Sequence, residues 1–88
     1  MPFKVQSWED YWELYSQLIN YLIASNEELV VAELKEAQKY VNGFTDGWHD
    51  FKNEFERVVL SYRSRLTSEQ LGLAEYLLMT LRQSLANR

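Results

Sequence analysis

The chain has 88 residues, 47% of them hydrophobic and 15% aromatic, with a formal net charge of −4 and no cysteine. A chain of this length fits a single domain, 1–88, burying roughly 60–65% of the surface that the unfolded chain exposes, and its hydrophobicity lies far from the disordered regime. The lack of cysteine excludes disulfides, thiolate metal sites and cysteine nucleophiles, and makes a cytoplasmic location the natural expectation.

The opening MPFKVQSWED has neither the basic region nor the long apolar run of a signal peptide, and no apolar stretch approaches the ~18 residues of a membrane span. Charge is unevenly placed. Through Glu33 the carboxylates Glu9, Asp10, Glu13, Glu27, Glu28 and Glu33 face only Lys4, whereas later residues are nearly balanced. Such a bias disfavours nucleic acid and anionic lipid and favours encounter with a basic partner.

Ser7 precedes Trp8, Tyr11, Trp12, Tyr15, Leu18, Ile19 and Leu22, whose spacing of three and four places them on one helical face. The pattern predicts a first helix over 8–24, capped by Ser7 with Asp10 in a shortened capping box. Ser25 and Glu28 repeat the capping spacing ahead of Leu29, Val30, Leu34, Ala37 and Val41, which predicts a second helix over 27–42 stopped by Asn42-Gly43. No Gly or Pro enforces the break near Ser25, so one continuous helix there is the alternative. Trp48, Phe51, Phe55, Val58, Val59, Tyr62 and Leu66 predict a third helix over 46–66 with Thr45 or Asp46 as cap. Thr67 and Gln70 form a capping box before Leu71, Ala74, Leu78, Leu81 and Leu85, predicting a fourth helix over 68–86. Short connections then give an all-α, antiparallel up-down four-helix bundle.

The segment SWEDYWELY combines aromatic rings with carboxylates. As structure, Trp8, Trp12 and Tyr15 line the core with Tyr11 at its margin, and the acids cap the helix or face water. As function, the same residues make an aromatic, acidic patch for a cation or an arginine-rich partner. The only histidine, His49, stands three residues after Asp46, a spacing known from helical metal sites, but Asp46, Asp50, Asn53 and Arg57 lie opposite the apolar stripe and no further inward ligands accompany them. No metal or cofactor is therefore expected. Arg57, Arg63 and Arg65 share their segment with Glu54 and Glu56, which argues against a nucleic-acid surface. No nucleophile–base pair, phosphate loop or zinc spacing is present, so no catalytic residue is expected.

The fourth helix holds more apolar residues than one stripe needs. With Leu71, Ala74, Leu78, Leu81 and Leu85 assigned to the core, Leu73, Tyr76 and Leu77 remain, with Gly72 and Thr80 small enough for close approach. These five residues are the predicted interface, for a protein partner or a second copy in a homodimer. The expected function is that of a small acidic, non-enzymatic interaction protein: a regulator, adaptor or subunit. Two alternatives are an inhibitor or immunity-type protein that masks a basic partner, and a bundle that binds a metal or small ligand.

Overall fold

The computed structural model describes residues 7–41 and 45–86. Helix α1 runs Trp8–Ala24, and the Ser7 hydroxyl accepts a hydrogen bond from the Asp10 amide at 3.2 Å, as the sequence predicts. Its end is a turn rather than a continuation. Asn26 adopts φ +61°, its amide donates to the Ile23 carbonyl at 3.0 Å, and the Glu27 amide reaches back to Leu22 at 2.9 Å. This pair of bonds closes the helix in a Schellman arrangement, with asparagine taking the left-handed position more often given to glycine.

Helix α2, Glu28–Gln38, is shorter than the predicted 27–42. Its N-cap is Glu27, without a side-chain cap bond, so the expected Ser25–Glu28 box does not form. Ser25 is engaged elsewhere: its hydroxyl accepts from Gln70 Nε2 at 2.8 Å. Tyr40 and Val41 bond back by three residues, which tightens the chain out of α2. The predicted Asn42-Gly43 stop lies outside the described residues.

Helix α3 covers Thr45–Tyr62 and passes into a 3-10 turn at Arg63–Arg65, so the predicted helix to residue 66 loses its last turn to the tighter form. Since the helix begins at Thr45, its cap position falls on residue 44, outside the described residues. Helix α4 is Ser68–Ala86. Its capping box is reciprocal: Gln70 N donates to Thr67 Oγ1 at 3.1 Å and Thr67 N donates to Gln70 Oε1 at 3.0 Å.

The four helices form an antiparallel bundle in which α1 packs on α2 and α4, and α3 closes the ring between them. Among the described residues there is no strand. The core joins Tyr11, Tyr15, Leu18 and Leu22 of α1, Val30 and Leu34 of α2, Phe51, Phe55 and Val58 of α3, and Leu73, Leu77 and Leu81 of α4. Two buried hydroxyls tie α1 to its neighbours through backbone carbonyls. Tyr11 donates to Leu77 of α4 at 3.1 Å and Tyr15 to Leu34 of α2 at 2.6 Å. Burial away from water pushes both phenols well above the ordinary tyrosine range. No helix among the described residues is long and apolar enough to cross a membrane.

Candidate interaction surfaces

The predicted α4 interface does not survive intact. Leu73 and Leu77 are 1% and 0% exposed, so they belong to the core and cannot meet a partner. The physical reason is the width of the buried sector. A helix in a four-membered ring touches two neighbours, and α4 uses Leu77 on the side of α1 while Leu78 lies beside Glu56, Val59 and Leu60 of α3. The core face is therefore rotated toward Leu73 and Leu77, and Leu71, assigned to the core by spacing, is only partly buried. Of the remaining predicted residues, Gly72 is exposed, while Tyr76 and Thr80 are half-buried. The Thr80 hydroxyl donates to the Tyr76 carbonyl at 3.0 Å, one turn back on its own helix. Gln70 is the buried polar residue of α4, and its amide bonds both Ser25 and the Tyr21 carbonyl, at 3.3 Å, which clasps the end of α1 to the start of α4.

The aromatic segment is also rotated relative to expectation. Tyr11, predicted at the margin, is 0% exposed, whereas Trp8 and Trp12 are only partly buried. Those two indoles meet Trp48 at the start of α3, with ring centroids 4.4 Å and 5.5 Å apart. Phe51 continues the cluster inward, 5.4 Å from both Trp12 and Tyr15. Helix α2 has 11 residues against 17 in α1, about 9 Å less length. The indoles close the core at the end where α2 stops first.

Ion pairs divide the surface. Arg57 joins α3 to Glu33 of α2 at 2.8 Å and to Glu54 at 3.0 Å, and the Tyr62 hydroxyl donates to the same Glu33. The Tyr62 hydrogen bond, then Arg57, hold the Glu33 carboxyl below the ordinary range, and that bond raises Tyr62. Arg65 lies 2.8 Å from Glu27 Oε1, a close ion pair without hydrogen-bond alignment. Arg63 pairs with Glu75 at 3.3 Å, Arg82 with Glu56, and more loosely Lys52 with Glu56 at 3.8 Å. Lys39 pairs with Glu36 at 2.6 Å. Among the described lysines and arginines only Lys35 has no such partner.

Helix α1 stands apart from this network. It carries no lysine or arginine, and Glu9 and Glu13 make no ion pair with the described residues. Glu9, Trp12, Glu13, Ser16, Gln17 and Asn20 line one shallow depression along its outer side. Of the other unpaired acids among the described residues, Glu28, Asp46 and Glu69 stand in the first turns of α2, α3 and α4, where the helix dipole favours them, and Asp50 lies one turn further into α3. His49 and Asp50 are exposed, and no cluster of metal-ligating side chains occurs among the described residues. The joining of Trp48 to Trp8 and Trp12 was not visible in the sequence, because nothing local signals which two helix starts share one end of the bundle. No protein family, no curated protein and no solved structure matches this chain.

Proposed function

We propose that the protein is a non-enzymatic interaction module that binds a basic protein partner, in the manner of an acidic inhibitor or adaptor. One observation carries this reading: nearly all described cationic side chains are neutralised within the molecule, whereas Glu9 and Glu13 of α1 are left facing outward beside the partly exposed Trp12. A surface of that kind steers basic proteins toward it and repels nucleic acid. Self-association through α4 has weaker support, since Leu73 and Leu77 are occupied in the core. A cytoplasmic setting is part of the proposal and rests on the cysteine-free composition.

Affinity capture at about 0.1 M and 0.5 M salt tests the reading, because a Debye length near 10 Å at the lower salt contracts by about half at the higher. The expected result is a stoichiometric basic protein that is held at low salt and released at high salt. Capture of no partner, or of one indifferent to salt, refutes it.

A further inference from the structure

Resting on that reading, we infer that the partner is held on the outer flank of α1, and that the element docking there is a basic amphipathic helix of a different protein. The flank is a stripe at helical spacing: Glu9, Trp12, Glu13, Ser16, Asn20 and Ile23. Its opposite face, with Tyr11, Tyr15, Leu18 and Leu22, is locked in the core, so the stripe is presented on a rigid support.

The stripe is graded along its length. Two carboxylates bracket the partly buried Trp12 at one end, and Ile23, 52% exposed, stands at the other. Small and neutral Ser16 and Asn20 lie between. A docking helix with arginine or lysine at positions four apart would face Glu9 and Glu13, with one guanidinium over the Trp12 ring. Its apolar residues, two to three turns further on, would meet Ile23. The depression is shallow and open along a run of about 16 Å, which suits the side of a helix rather than a small molecule.

Two features identify the occupant as another protein's element. A second copy of this chain offers no free basic stripe, because its described arginines and all its described lysines but Lys35 are already paired. Two other exposed apolar residues sit beside neutralised charges: Leu60 borders the α3–α4 groove that is bridged by Arg63–Glu75 and Arg82–Glu56, and Tyr40 lies by the Glu36–Lys39 pair, whereas the exposed Leu29 adjoins the single unpaired Glu28. On α1 the uncompensated Glu9 and Glu13 share one depression with Trp12, in line with the exposed Ile23.

The probe is a fluorescein-labelled synthetic helix with arginines at i and i+4 followed by leucines at i+11 and i+14, the last at the level of Ile23 when the two helices run parallel, read by anisotropy and by amide chemical shifts of the protein. Two double variants of equal net charge are compared: Glu9→Gln with Glu13→Gln, and Glu28→Gln with Glu69→Gln. Circular dichroism confirms that both remain helical. Binding to the unaltered protein should shift amides along α1. The first variant should weaken it by about tenfold, the size of two exposed ion pairs, and the second by less than about twofold. Equal losses in both variants mean general attraction to an acidic protein and overturn the site, as do shifts centred on α3 and α4 or no binding of the probe. If affinity capture yields a basic partner that the Glu9/Glu13 variant retains as well, the interaction reading stands and this site fails. If capture yields none, the interaction reading itself fails.

Discussion

Helices α1 and α4 begin from the same excess: each holds more apolar residues than a single stripe can use. They resolve it differently. In α4 the surplus is absorbed, with Leu73, Leu77, Leu78 and Leu81 all buried between α1 and α3. In α1 it emerges, because Tyr11 and Tyr15 fill the core position and leave Trp8 and Trp12 at the edge where the shorter α2 no longer flanks them. The difference teaches that the buried sector of a helix is set by how many neighbours flank it at each level, not by its own hydrophobic count. A partly exposed aromatic end is the result on α1, and on α4 a leucine face buried except at its edge, Leu71.

The contrast breaks most visibly at Leu73. Leu73→Glu should place an uncompensated carboxylate in the core and destabilise the chain by upwards of about 4 kcal/mol, enough to unfold a domain of this size. Tyr76→Glu, one turn away in part-solvated surroundings, should leave a cooperative helical fold. Urea unfolding followed by circular dichroism checks both, and a folded Leu73→Glu protein means that α4 faces another way.

A comparison within α1 comes next. Tyr15→Ala removes a fully buried ring and leaves the Leu34 carbonyl without its side-chain donor, so it should cost about 3–5 kcal/mol. Trp12→Ala should cost roughly half as much, since part of that indole already meets water. The reverse order in denaturant midpoints would restore Trp12 to the core and Tyr15 to the margin.

Much of this was readable in advance, and the failures share one cause. The starts of α1 and α4 were legible because Ser7 and Thr67 with Gln70 act locally, through bonds to amides three residues away. The turn near Ser25 was legible in place but not in mechanism, since Asn26 at positive φ ends α1 and Ser25 serves α4. Rotational phase was not legible. Spacing defines a stripe to within about half a residue's turn, and that margin decides between Tyr11 and Trp12, or between Leu71 and Leu73. The predicted interface depended on phase, and so its two leucines were misplaced.

Alkaline pH sharpens the contrast further, because α1 contributes two buried phenols to the core while α4 contributes mainly hydrocarbon. The folded-state values of Tyr11 and Tyr15 are raised above their unfolded value. Their stabilisation is complete below the ordinary tyrosine range and is lost as the pH climbs above it, because the unfolded chain then releases protons that the folded chain keeps. The slope should be roughly 1.4 kcal/mol per pH unit for each tyrosine. Tyr11→Phe should reduce that slope by about half, at the expense of roughly 1 kcal/mol at neutral pH for the lost bond to Leu77. An unchanged slope in alkaline urea titrations would show that Tyr11 is not the buried phenol.

The smallest effect tests whether the outer side of α4 is as free as its buried leucines imply. Gly72 lies on that side within the helix, and a Cβ built there meets nothing within 4 Å. Glycine at an exposed helical position costs roughly 1 kcal/mol relative to alanine, because the unfolded chain has more freedom to lose. Gly72→Ala should therefore stabilise the chain by up to about 1 kcal/mol and raise the melting temperature by roughly 4–8 °C. The gain should be the same at low and high protein concentration. A loss of stability that grows with concentration would instead mean that the methyl group collides with a second molecule packed closely on α4. In that case Gly72, Tyr76 and Thr80 do line an interface between copies, and the asymmetry between an open α1 and a largely committed α4 disappears.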